Sequence, residues 1–143
     1  MARIGVRVPA SFDSAGEFLA DAQALESAGA TLISLGSGEL HHATLLAALA
    51  AATTTVGLHS TADLGPAAAT LERLGRGRLL ADVDGWAEVP FPSSREEWRS
   101  TLAEHDERGA AGVIVAMDDR LLDLLRNPDL EDDRSQDLQL AQG

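Results

Sequence analysis

"LESAGATLISL", residues 25–35, decides the fold. Leu25 continues an apolar helical face that runs Phe18, Leu19, Ala22, Leu25 and Ala28, and Gly29 supplies the left-handed stop. The next six residues, TLISLG (31–36), are a β-rich apolar run suited to a buried parallel strand. The same words return in "DERGAAGVIVA", residues 106–116, as an acidic helix end, a glycine stop and an apolar strand. A helix–stop–strand unit written twice points to a parallel sheet built by repetition.

Upstream of the first unit, Ser14 and Glu17 form a capping-box pair that opens the helix. Before it, IGVRVP (4–9) alternates apolar and polar residues up to a proline, the pattern of a short strand. Downstream, His42 to Thr53 reads as a helix, TVGLHS (55–60) as a strand, and Pro66 to Leu74 as a helix beginning on a proline. Arg78 to Val83 reads as the fourth strand. Ser94 to Arg108 is a helix with a second capping box, Ser94 and Glu97, and an apolar face of Trp98 and Leu102. AGVIVAM (111–117) is the fifth strand, and Asp119 to Arg126 a last short helix stopped at Asn127-Pro128. Five strands alternating with five helices predict an α/β fold with a right-handed parallel sheet, one domain over residues 1–128. Residues 129–143 are acidic and weakly patterned and read as a loosely held tail, with LQLA (138–141) docking late.

Bulk properties exclude several classes. The 143 residues are 45% hydrophobic, enough for a real core, but only 3% aromatic, so that core is made of small aliphatic side chains. All eleven basic residues are arginine, spread along the chain, and the net charge of −12 argues against nucleic acid as a partner. The absence of cysteine removes disulfides, thiolate metal sites and cysteine nucleophiles. MARIGVRVP has no apolar signal region, and the longest apolar run, ATLLAALAAAT, is too short to span a bilayer. The expectation is a cytoplasmic protein.

Ligands of parallel α/β folds sit at the carboxyl ends of strands. Those positions are Pro9–Ser11, Gly36–Glu39, His59–Thr61, Asp84–Trp86 and Met117–Asp119. His59 is the titrating group there that is poised near neutrality, able to polarise a carbonyl or touch a cofactor edge; the plain alternative is a strand-end histidine bonded to backbone. Asp82 and Asp84, two apart, fall on one face of the expected strand. They would serve as acid and base, or hold an ion with His59, or else one caps the loop and the other meets Arg78 or Arg7. ELHH (39–42) invites a metal reading, but adjacent histidines at a helix start diverge, and no metal is assigned. Arg76–Arg78, RGR, is no phosphate cradle, because its glycines stop a helix and turn into a strand.

With these words in it, the chain resembles the luciferase-like family of flavin-dependent monooxygenases and deazaflavin-dependent reductases. The likeness is carried by ALESAGATLISLGSGELHHATLLAALAAATTTVGLHS (24–60), by ATLERLGRGRLLADVDGW (69–86) and by SREEWRSTLAEHDERGAAGVIVAMDDRLLDLL (94–125). The resemblance implies a shortened (β/α) TIM-barrel-like fold, since the family's eight-stranded barrel needs roughly 250 residues. WAEVPFP (86–92) would pass directly from the fourth strand to the end of the barrel. It also implies a flavin- or deazaflavin-dependent oxidoreductase of the monooxygenase type, with FMN or the deazaflavin resting on the strand ends. His59 and Asp84 would then stand nearest the ring as catalytic residues, with Gly36, Ser37, His41, Ser60 and Trp86 around the cofactor. The alternative is a non-catalytic homologue that dimerises or binds a small ligand. An uncovered core face favours a homodimer in either case.

Overall fold

The computed structural model describes residues 2–129. Its elements are β1 (Arg3–Val8), α1 (Ala15–Ser27), β2 (Leu32–Leu35), α2 (His42–Ala52), β3 (Gly57–Ser60), α3 (Ala67–Leu74), β4 (Trp86–Glu88), α4 (Arg95–Glu107), β5 (Gly112–Ala116) and α5 (Leu121–Arg126). The five strands form one sheet in the order β3-β2-β1-β5-β4, and every pairing is parallel. The α/β alternation expected from sequence is therefore present. The reading of residues 129–143 as a tail falls almost wholly on 130–143, outside the described residues. No helix among the described residues is long and apolar enough to cross a membrane.

The chain starts its helices where the side chains provide for it. Ser14 accepts the Glu17 amide at 3.3 Å and Ser94 accepts the Glu97 amide at 3.0 Å, each satisfying one free N–H of a first turn. The returning carboxylate of Glu97 bonds the amide of Ser93, one residue before the cap, at 2.7 Å. Gly29 and Gly109, with φ of 107° and 75°, close the two repeated units in the left-handed conformation that their sequences announce.

One direction of travel sets the layers. Steps β1→β2→β3 and β4→β5 all move the same way across the sheet, so right-handed crossovers place α1, α2 and α4 on one face, and the apolar clusters bring Leu71 of α3 and Leu121, Leu124 and Leu125 of α5 to the same side. Register agrees. Val6, Ile33, Leu58 and Val115 are in register on that face, and all are buried. They divide between two apolar clusters, one under α1, α2 and α3 and one under α4 and α5 with Trp98 at its centre. On the opposite face stand Arg3, Gly5, Arg7, Leu32, Ser34, Gly57, His59, Gly112, Ile114 and Ala116.

The fourth strand corrects the sequence reading. Arg78–Val83 is not a strand: Leu79 makes one isolated parallel bridge to Leu58, and the ladder continues no further. The strand is Trp86–Glu88, paired with β5 at the other edge of the sheet. WAEVPFP thus contains the fourth strand rather than following it. Asp82 and Asp84 lie in a loop, not on one face of a strand. The physical reason is local. Asp82 accepts the Asp84 amide at 3.1 Å, and Trp86 donates to the Val83 carbonyl at 3.0 Å around Gly85 at φ 84°. An Asx turn followed by a glycine turn outweighs the apolar run LLA that suggested the strand.

That short link also bends the sheet. Leu79 sits beside β3 and Trp86 beside β5, so the chain crosses the full width in seven peptide steps. Laid flat, five strand spacings demand about 24 Å, nearly the limit of a fully extended segment of that length. The segment contains a turn and reaches less far, so the edges curl toward one another and the helix-free face is concave. The hydrogen bonding itself stays open, with no ladder joining the edges among the described residues. The link packs on the concave face: a Cβ on Gly57 would meet Leu80 at 3.1 Å, one on Gly5 would meet Trp86 at 3.2 Å, and one on Gly112 would collide with the Trp86 ring.

Candidate functional site

Above the floor made by Leu32, Ile114 and Trp86, the next layer of the concave face is polar. β1, β2 and β3 place Arg7, Ser34 and His59 side by side in register. Ser34 is fully buried and His59 nearly so, while Arg7 keeps about a fifth of its side chain exposed (21%). An Arg7 Nη1–H donates to Ser34 Oγ, and Ser34 Oγ lies 2.6 Å from Nδ1 of His59. Guanidinium nitrogens only donate, so Ser34 Oγ accepts from Arg7 and joins it to the imidazole through Nδ1. Burial holds the His59 pKa below its ordinary 6.5, the charge of Arg7 adds to that lowering, and Asp82 opposes it. The other end of the Arg7 fork pairs with Glu88, whose side chain is 67% exposed. No buried side-chain nitrogen or oxygen among the described residues lacks a partner, so Nε2 of His59, which bonds nothing among those residues, opens to solvent.

Gly36 belongs to this arrangement through its missing side chain. A Cβ there would stand 3.1 Å from Cδ of Arg7, so the arginine is laid across the end of β2 and held against Ser34. Ala116, in register with Arg7 on its other side, is exposed, so the Arg7–Glu88 pair lies over a small side chain on β5.

The other residues singled out from sequence separate into two groups. Gly36, Ser37, His41, His59 and Ser60 are at the carboxyl ends of strands, on the rim of the concave face. His41 caps α2, its ring accepting the Thr44 amide at 3.3 Å and lying 2.9 Å from the Thr44 hydroxyl. His42 turns the other way, with Nδ1 2.6 Å from Ser60 Oγ. The two rings do diverge, and among the described residues no three His, Asp or Glu side chains stand together as a metal set. Asp84 and Trp86 are at the amino end instead, because β4 begins at Trp86. Gly85, between them, accepts the Ala111 amide ahead of β5 at 2.8 Å. Trp86 lies against Gly5 and Gly112 and has Arg3 stacked 5.4 Å from its ring centre. His59 and Asp84 are therefore not neighbours across one rim; the carboxylate that acts electrostatically on His59 is Asp82.

Arg78 is spent on structure, donating to the carbonyls of Ala50, Thr53, Val56 and Gly75 and to the Thr53 hydroxyl at 2.9–3.3 Å. It caps the carboxyl end of α2 and is not the partner of either aspartate. Arg7 is paired with Glu88 instead.

Sequence reading passed over Ser34 and Glu88 and saw Arg7 only as a partner for an aspartate. The signal was present in the parity of the strands. Arg3, Gly5 and Arg7 share one side of RIGVRV, and Ser34 interrupts the apolar run TLISLG on the matching side. No protein-family model, curated protein or solved structure matches the chain.

Proposed function

We propose that the protein is a cut-down luciferase-like α/β protein acting as a small-ligand-binding module, with Arg7, Ser34 and His59 as its site. The observation that carries this reading is the serial hydrogen bonding of three polar side chains in a buried layer of the concave face. A layer of this kind costs desolvation that aliphatic residues would avoid, and it lies at the strand ends where α/β folds bind ligands.

A flavin nucleotide fits the rim poorly. The amides of Gly36, Leu40, Thr61 and Ala62 are donated to Val8, Ala10, Leu35 and Ser60 within the fold. Glu39, Asp63 and Glu88 are exposed carboxylates after β2, after β3 and on β4 that oppose a phosphate. The flavin- or deazaflavin-dependent oxidoreductase remains the second reading, supported by the family resemblance and by the solvent-facing Nε2 of His59, a neutral imidazole suited to proton transfer.

Titration of the protein with FMN, with the deazaflavin and with a panel of small polar molecules, followed by the ring resonances of His59, separates the two. Perturbation of His59 by a small molecule while both cofactors are ignored supports the binding module. Saturable cofactor binding that disappears in His59→Ala supports the oxidoreductase. Silence of His59 toward every compound removes both. The curled, open sheet and the exposed Leu74 and Leu80 support a homodimer, and sedimentation showing only monomer would remove that part of the proposal.

A further inference from the structure

We infer that the outer edge of the Arg7 guanidinium, beside exposed Ala116, takes the carboxylate group of a small organic acid, and that Glu88 is a built-in competitor occupying its place. The inference rests on the ligand-binding reading and names its ligand class.

Arg7 is fixed from one side only. Ser34 and His59, both buried, hold one edge of the guanidinium, and Gly36 lets its stem lie flat. The other edge faces Glu88, which reaches it from the short edge strand β4. The two halves of this environment differ in worth. The Ser34 contact is buried, and breaking it strands polar atoms; the Glu88 pair is at the surface, where such pairs contribute on the order of 0–1 kcal/mol. A guanidinium held rigidly by its buried side and loosely by its exposed side is preorganised for an exchangeable carboxylate, whose two oxygens match the planar fork.

The surface beside Arg7 is small and apolar: the methyl group of exposed Ala116, with Ile114 buried on the same face of β5 and Trp86 filling the face toward the amino end. Glu88 swinging into solvent vacates the position and leaves its own charge hydrated, so the exchange replaces one ion pair with another and leaves no buried charge unpaired.

The test uses calorimetric or NMR titration of the full chain with sodium butyrate, with butyramide as the neutral isostere and inorganic phosphate as the other oxyanion. Butyrate is expected to bind saturably and butyramide not at all. Glu88→Gln should tighten butyrate by up to about fivefold, the equivalent of the exposed pair it removes. Arg7→Lys should abolish binding, since it keeps the charge and loses the fork. Because Arg7 contacts buried Ser34, Ala116→Leu provides a variant at an exposed position, expected to block butyrate while the protein melts as the wild type does. Butyrate binding unchanged in Glu88→Gln or in Ala116→Leu overturns the inference, as does butyramide binding equally well or phosphate binding in preference. If His59 responds to some other molecule while butyrate does not bind, the ligand class fails and the binding module stands. If nothing binds, both fail.

Discussion

At the scale of single residues, buried polar groups carry the most weight. Ser34 joins a guanidinium to an imidazole, and Ser34→Ala leaves both groups without the hydroxyl that bonds them. It should cost about 1–3 kcal/mol in urea unfolding, far more than removing an exposed hydroxyl. His59 itself should titrate below its ordinary 6.5 when followed by NMR. Asp82→Asn should lower it further, because Asp82 is the group that raises it. Since the folded state disfavours the imidazolium, this residue's contribution is complete above pH 6.5 and declines as pH falls below that value. Glu26 behaves differently. Burial pushes its pKa up, but the amides of Thr55, Val56 and Thr54 and the Thr54 hydroxyl more than reverse this and hold it at about 2. Its stabilisation is present above the unfolded carboxyl value near 4.5 and is lost as pH falls toward 2. Glu26→Gln should therefore cost ~2 kcal/mol at neutral pH and flatten the acid limb of the stability curve between those values, checked by thermal melts across pH.

At the scale of elements, β5 and β4 depend on one glycine. Gly112 opens β5, and the Trp86 ring of β4 occupies the space its side chain would need. Gly112→Ala should destabilise by about 1–3 kcal/mol through overpacking. It should also shift the Trp86 indole resonance while leaving that of Trp98, buried in the other face's core, where it was. The elements were largely legible in the sequence. Helix starts at Ser14 and Ser94 and stops at Gly29 and Gly109 follow from local hydrogen bonding and backbone preference, which need no tertiary partner. The fourth strand was not legible, because Leu79 and Leu80 carry a strand's composition while the turn formed by Asp82, Val83 and Gly85 ends the pairing after one bridge.

At the scale of the whole molecule, the link from Leu79 to Trp86 sets the curvature. Deleting Asp82 and Val83 shortens it to less than the sheet's width, so one edge contact has to give way. Hydrogen exchange should show faster exchange either at Leu80, which bonds the Leu58 carbonyl at 2.8 Å, or at Val89, which bonds the Ile114 carbonyl at 2.9 Å. Protection retained at both would mean that the sheet is curved by its own twist and the link merely follows.

The sequence by itself determined the alternation of strands and helices, their caps and stops, and the position of His59 at a strand end, because each of these is fixed by period, turn chemistry and neighbours a few residues away. Only the tertiary structure decided that Arg7, Ser34 and His59 share a layer, that Glu88 completes the arginine's fork, and that Asp84 and Trp86 belong to the amino end of the sheet. Those facts depend on strand order and register, which set residues 25 to 81 positions apart against each other and which no local pattern encodes.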